Sequence, residues 1–331
     1  MATFKSISRD AANIGDTTYG GIMLGMLLQH SKFMRWMEQN NGFEVAATED
    51  KFYTYDGTAR VLNRAIGDEK EPQAVTPNRT PVNFGLKIQG DAVSVDISHI
   101  SDQKLKLLDV DVMLEKELKN RFKDFAKKYE MELFHGLGTG DTFKGLYDIV
   151  DGSTNIPGYS ETRFVDATAH TGLSSAPVSM DLTNSDRQSD FLEMMQKITY
   201  MVEDPKGIFC NESFFARIQT IARKHHILGE SRDLFGVPIP TWNKIPLIVM
   251  PDSVLPSDDE DNTPTTPLEN CTSIWIFSPG EQRFSLCTNS GLYVADHHND
   301  TGEIVKTSWE IRGAFKIEEP KSILRIGKLK L

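Results

Sequence analysis

The stretch SDQKLKLLDVDVMLEKELKNRFKDFAKKYEMELFHGLGTG, running from Ser101 to Gly140, decides how the rest of the chain is read. Within it Leu105, Leu108, Val112, Leu118, Phe122, Phe125, Tyr129 and Leu133 recur mostly at steps of three and four, with lysines and acids between them. That spacing predicts one long amphipathic helix. Ser101 and Asp102 are residue types that cap a helix start, and Gly136, Gly138 and Gly140 stop the pattern. The helix, Ser101 to His135, is then about 45 Å or more in length at 1.5 Å per residue. Its apolar stripe must lie along something else in the fold.

On the N-terminal side, Gly21 to Glu38 sets Met23, Met26, Leu27, Phe33, Met34 and Met37 at helical spacing, which predicts a short helix behind a polar arm. From Phe43 to Ile100 the text changes to short β-rich runs, among them Lys51–Tyr55 and Ala92–Ile97. Between those runs, Gly67 to Pro81 carries Asp68, Glu69, Lys70 and Glu71, three prolines and almost no large apolar residue, so it cannot bury a core of its own. The whole of Phe43–Ile100 reads as a long two-stranded excursion.

On the C-terminal side, Asp151 to Ser189 is rich in Ser, Thr, Asp and Gly and reads as loop with short strands. From Asp190 the pattern is helix (Phe191–Val202), strand (Gly207–Cys210), helix (Glu212–Ile227), a turn at Gly236–Ile239 and a buried strand, Pro246–Met250. An acidic insert, Pro251 to Asn270, reads as a solvated loop. The remainder is β: Ser273–Phe277, Arg283–Cys287, Leu292–Asp296, Thr307–Ile317 and Ile323–Lys330.

Composition narrows function. The 331 residues suffice for roughly two domains. With 47 acids against 36 basic residues the net charge is −11, the wrong sign for a chain whose main task is sequence-specific nucleic-acid binding. No apolar run approaches the roughly 20 residues of a membrane span, and Met1–Asp16 has no apolar stretch of the kind that forms a secretory signal. Cys210, Cys271 and Cys287 form no C-x-x-C pair and fit reduced thiols of a cytosol better than a disulfide framework or structural zinc. Gly136–Asp141 superficially resembles a phosphate-cradling loop, but such loops follow a strand and open a helix, whereas this one follows a helix. The pairs His225–His226 and His297–His298 lack metal-ligand spacing, since adjacent residues point apart. Neither H-E-x-x-H nor G-x-S-x-G occurs, and no pair among so many carboxylates can be singled out as acid and base. No catalytic residue, cofactor or metal is expected.

The order of elements is more informative than any motif. Glu132–Gly140 followed by Phe143-Lys144-Gly145-Leu146, then Gly207–Asn211, Phe235–Ile239, and finally Trp309–Ile317 with Pro320–Leu331, resembles the major capsid proteins of tailed bacteriophages, of the Hong Kong 97 fold. The resemblance spans nearly the whole chain. It implies an α+β fold with an N-terminal arm and short helix (1–42), an extended loop and its flanking strands (43–100), a peripheral domain built on the spine helix (101–189 and 303–331) and an axial domain (190–302). It implies a non-enzymatic structural subunit that assembles with itself into the pentamers and hexamers of an icosahedral shell around double-stranded DNA, contacted non-specifically. Scaffold, portal and decoration proteins are the implied partners, with assembly in the host cytoplasm and no membrane. Asp68, Glu69, Lys70 and Arg79 of the extended loop are then the candidate assembly contacts. No motif selects a lysine such as Lys70 or Lys87, an asparagine and an acid together, so covalent cross-linking is not expected. The alternative is an encapsulin, a cellular shell of the same fold, which usually starts with a helix where capsid proteins have an extended arm. A cytosolic α/β enzyme is a third reading that no motif supports.

Overall fold

The computed structural model describes residues 20–47, 49–55, 79–96, 107–150, 163–166, 188–225, 228–232, 238–256, 271–289, 291–298 and 304–330. The N-terminal apolar run forms two helices, α1 (Gly20–His30) and α2 (Lys32–Gln39). Ser31 breaks the run because its backbone is extended, and its hydroxyl accepts from the Met34 amide to cap α2. Strands β1 (Phe43–Val45), β2 (Glu49–Tyr55), β3 (Arg79–Gly85) and β4 (Lys87–Asp96) follow. The long helix α3 (Leu107–His135) is then present over 29 residues, and a single turn, α4 (Leu146–Ile149), follows its glycine stop. Next come β5 (Phe164–Asp166), α5 (Gln188–Thr199), β6 (Gly207–Asn211), α6 (Glu212–His225), β7 (Leu228–Arg232), β8 (Pro238–Trp242) and β9 (Ile245–Met250). The C-terminal part holds β10 (Cys271–Phe277), β11 (Phe284–Thr288), β12 (Leu292–His298), β13 (Ile304–Ile317) and β14 (Ile323–Lys330).

These strands make two large sheets and one ribbon. The first sheet runs β1-β11-β13-β12, with β4 also paired along β13. The second runs β5-β14-β10-β6-β9-β8-β7. Among the described residues β2 and β3 pair only with each other, in antiparallel register from Glu49 opposite Gly85 to Tyr55 opposite Arg79.

Side-chain alternation explains how the layers stack. Along β13 the residues Trp309, Ile311, Phe315 and Ile317 are buried, while Glu310, Arg312, Ala314 and Lys316 between them are partly exposed, so this sheet turns one face to the core. The buried stripe of α3, Leu118, Phe122, Phe125, Tyr129 and Leu133, packs in the same core. Trp309 meets Phe122 at 5.4 Å and Phe125 at 5.9 Å between ring centroids, both edge to face. The central strands β6 and β10 of the second sheet are buried on both faces, which is why they read as nearly continuous apolar runs. Phe209, Trp275 and Phe277 face the α3 side, whereas Ile208, Cys210, Ile274 and Ile276 pack with Phe191, Met195, Phe214 and Ile218 of α5 and α6. Phe33 of α2 sits where everything meets, its ring within 5.3 to 6.5 Å of Phe134, Phe209, Phe277, Phe284 and Phe315.

Three expectations change. The two-stranded excursion is narrower than Phe43–Ile100: β1 pairs in parallel with β11, and β4 is an edge of the first sheet, leaving β2 and β3 as the ribbon. Alternation in Ala92–Val95 fits any half-buried strand and does not name its ladder partner. The strands also do not divide at residues 190 and 302, because β11 and β12 join the sheet of β13, and β14 joins that of β10. The insert starting at Pro251 is not wholly solvated, since Val254 and Leu255 are buried; residues 257–270 lie outside the described part.

Candidate assembly surface

The ribbon is the feature that the core does not absorb. Its inward side carries Phe52 and Thr54 of β2, both buried, with Val82 and Phe84 of β3 half-buried, and the Phe52 and Phe84 rings lie 5.6 Å apart. The outward side carries Lys51, Tyr53, Pro81 and Asn83, with Tyr53 52% exposed. Under the inward side lies a cavity of about 280 Å³ whose walls include Phe52, Phe84, Phe143, Phe315 and Ile317. The ribbon therefore rests on the body through its inward side, with this cavity beneath it, and leaves its outward side uncovered.

Of the four candidate contacts, Asp68, Glu69 and Lys70 lie outside the described residues. Arg79 opens β3 opposite Tyr55, at the end of the ribbon remote from the turn into β4. Lys87, where that turn enters β4, donates from Nζ to the Gly140 carbonyl at 2.7 Å, tying the ribbon base to the glycine turn after α3.

That turn is a tight backbone closure. Gly145 N donates to Gly136 O at 2.7 Å and Gly138 N to Phe143 O at 3.0 Å. A Cβ on Gly136 would lie 2.2 Å from Phe143 O, and one on Gly145 would lie 2.5 Å from Phe134 O, so both positions need glycine for close approach. It sits at the C-terminal, negative end of the helix, as its place in the sequence requires, and is unsuited to hold an anion.

At the other side of α3, a buried carboxylate fixes the N-terminal helices. Glu130 Oε1 accepts from the Phe33 amide at 2.8 Å and from the Ser31 hydroxyl at 3.1 Å, so the helix side chain satisfies donors at the start of α2. Burial pushes its pKa up, opposed by these bonds and by the nearby charge of Lys32. Sequence reading missed Glu130. The available signal was an acid at the core position between Ala126 and Phe134, four residues from each, which a solvent-facing residue would not occupy. On the sheet side, Arg121 grips Asp91 of β4 with Nε and one terminal nitrogen, at 2.9 and 3.1 Å, and that fork holds the Asp91 carboxyl below its ordinary value.

Nucleophile chemistry finds no support in the cysteines. All three are buried, and burial pushes the thiols of Cys210 and Cys287 up to about 12, so thiolate is scarce near neutrality. Among the described residues no three His, Cys, Asp or Glu side chains are grouped as metal ligands are.

No protein-family model and no curated protein matches the sequence. Solved structures do match over nearly the full length. The holo-SrpI encapsulin complex from Synechococcus elongatus aligns with a TM-score of 0.58 at 14% identity, over 89% of this chain and 88% of that one. The capsid of the empty GTA particle aligns at 0.53 and 13% identity, over 88% and 89%. The Mycobacterium phage Bobi structure aligns at 0.50 and 10%, over 87% and 88%. Identity this low speaks to architecture alone: the chain has the Hong Kong 97 fold, the fold these viral capsid and encapsulin chains share.

Proposed function

We propose that the chain is the structural subunit of a viral icosahedral capsid, assembling as pentamers and hexamers around double-stranded DNA. The observation that carries this reading is the β2–β3 ribbon, which has no further strand partner among the described residues, rests on its subunit through its inward side over an apolar cavity, and exposes Tyr53 on its outward side. Two strands alone are marginal in water and need a further packing partner. A neighbouring copy covers the outward side, and in that role β2, β3 and the segment between them form the extended assembly loop, with Asp68, Glu69, Lys70 and Arg79 contributing contacts. The function requires no catalytic group, metal or cofactor. Scaffold, portal and decoration proteins are partners of the assembly, which forms in the host cytoplasm and persists as the virion shell.

A second reading, an encapsulin-type cellular compartment, draws support from α1 and α2, which replace an extended arm over residues 20–39 with helices docked on α3 through Phe33 and Glu130. Nuclease-protected DNA inside purified particles selects the viral reading; particles holding only protein select the compartment. The assembly role itself is tested by deleting Gly67–Asn78 while keeping β2 and β3. Subunits of that variant should melt like the parent yet form no shells. A deletion that leaves shells intact, or that unfolds the subunit, overturns the reading.

A further inference from the structure

The chain is acidic overall, yet one flank of α3 is not. Lys116, Lys119, Lys123 and Lys127 are all exposed. At 3.6 residues per turn they fall within about 80° of one another, in a row about 16 Å long. Lys119 also meets Glu115 in an exposed ion pair, an attraction that water screens. Among the described side chains of the helix, Glu115 borders the row at Lys119, and Glu117 and Asp124 lie on the next flank with Lys128 and with Arg121, which is engaged by Asp91. The row borders the end of α1: burial first, and then the charges of Lys123 and Lys127, hold His30 below the ordinary imidazole value. A neighbouring ring thus reports the positive potential of this flank.

The composition of the row says what it fits. A protein interface is anchored by apolar or aromatic side chains at its centre, whereas here Met131 at the row's end is the exposed apolar residue, at 36%. Phe122, Phe125 and Tyr129 are turned into the core, so the helix offers no stacking platform for single-stranded bases. Ammonium groups act as point charges without the fork that reads a base edge or clamps one carboxylate. Point charges at steps of three and four residues along a rod suit a repeating, rigid polyanion.

We propose that the Lys116, Lys119, Lys123 and Lys127 row of α3 is a strip that binds the phosphate backbone of duplex nucleic acid without reading its sequence. The strip rests on the shell reading for its biological place, where the enclosed duplex touches the wall, but its chemistry is a property of the subunit. Neutralising four phosphates gives a slope of about −3.6 in log K against log salt, a loss of about 150-fold between roughly 50 and 200 mM salt.

The test titrates the full-length chain, held below the concentration at which particles form, into a short fluorescent duplex of arbitrary sequence across that salt range. The parent should bind with the slope above. Replacing all four lysines by Gln should flatten the slope nearly to zero, replacing all four by Arg should keep it, and Arg217→Gln with Lys244→Gln, on α6 and at the β8–β9 turn, should leave it unchanged. Equal slopes for the parent and the Gln variant overturn the proposal. So does a Gln variant that keeps duplex binding but loses assembly, since the strip would then serve an acidic surface of another copy. If electron micrographs of the parent show no particles while the duplex result stands, the shell reading has failed and the strip has not.

Discussion

Phe122→Ala measures whether α3 is held by the packing described. The ring is fully buried, edge to face with Trp309 at 5.4 Å and 5.6 Å from Phe125. Removing about 150 Å² of buried aromatic surface at about 25 cal/mol per Å² costs about 4 kcal/mol. That agrees with the 3 to 5 kcal/mol commonly lost when a buried Phe becomes Ala and leaves a cavity, roughly. It is a large share of a domain's net stability of about 5 to 15 kcal/mol. Urea unfolding of dilute subunits, followed by fluorescence of the four tryptophans, reads the loss, because Trp309 lies against the altered site. The adjacent Lys123 is exposed, and Lys123→Ala should move stability by no more than about 0.5 kcal/mol. Comparable losses at the two positions would refute the register of the helix on the sheet.

Glu130→Ala leaves the buried amide of Phe33 without its acceptor and should cost about 1 to 3 kcal/mol, with faster hydrogen exchange at Phe33; unchanged exchange there contradicts the clamp. Gly145→Ala forces a Cβ against Phe134 O and should lower stability by about 3 kcal/mol or yield insoluble protein, whereas Gly25→Ala, with open space and a helical backbone, should raise it by about 0.5 to 1 kcal/mol in the same unfolding assay. His135 bonds from Nε2 to Val254 O and stacks on Tyr147 at 4.6 Å; burial first, then the charge of Arg325, holds its pKa below the ordinary 6.5 despite the Val254 bond. The folded chain therefore binds fewer protons than the unfolded chain between that lowered value and 6.5, so stability should rise with pH across this window, with the penalty full below it. His135→Gln should remove that slope, and a parent-minus-variant difference that is flat with pH contradicts the assignment; taking the difference cancels the opposite slope that the raised Glu130 pKa contributes nearer the carboxylate range.

Local periodicity carried much of the fold. The α3 pattern reads correctly because its three- and four-residue steps reflect burial against a sheet, and β6, β9 and β10 read as strands because central strands covered on both faces demand largely apolar runs. The partners of strands are not local properties. Val93 in β4 is buried, yet nothing in its neighbourhood says that the strand pairs with β13, more than two hundred residues later, and not with β2. The break at Ser31 was hidden because Phe33, Met34 and Met37 continue the helical spacing across it. At the candidate assembly surface, Gly67–Pro81 is legible only as a stretch poor in apolar residues, and its part up to Asn78 lies outside the described residues. The inward faces of Phe52 and Phe84 and the role of Glu130 depend on contacts across 32 and 97 residues, which spacing alone does not express.

The central claim is that this fold exists to tile a shell. Electron cryomicroscopy of the full-length chain, purified after expression at assembly concentration, tests it most directly. The account predicts closed particles built of pentamers and hexamers, with the ribbon β2–β3 seated on a neighbouring subunit and Tyr53 buried at that contact. A population of monomers or small oligomers, or a particle in which Tyr53 and the outward side of the ribbon stay exposed to solvent, contradicts it.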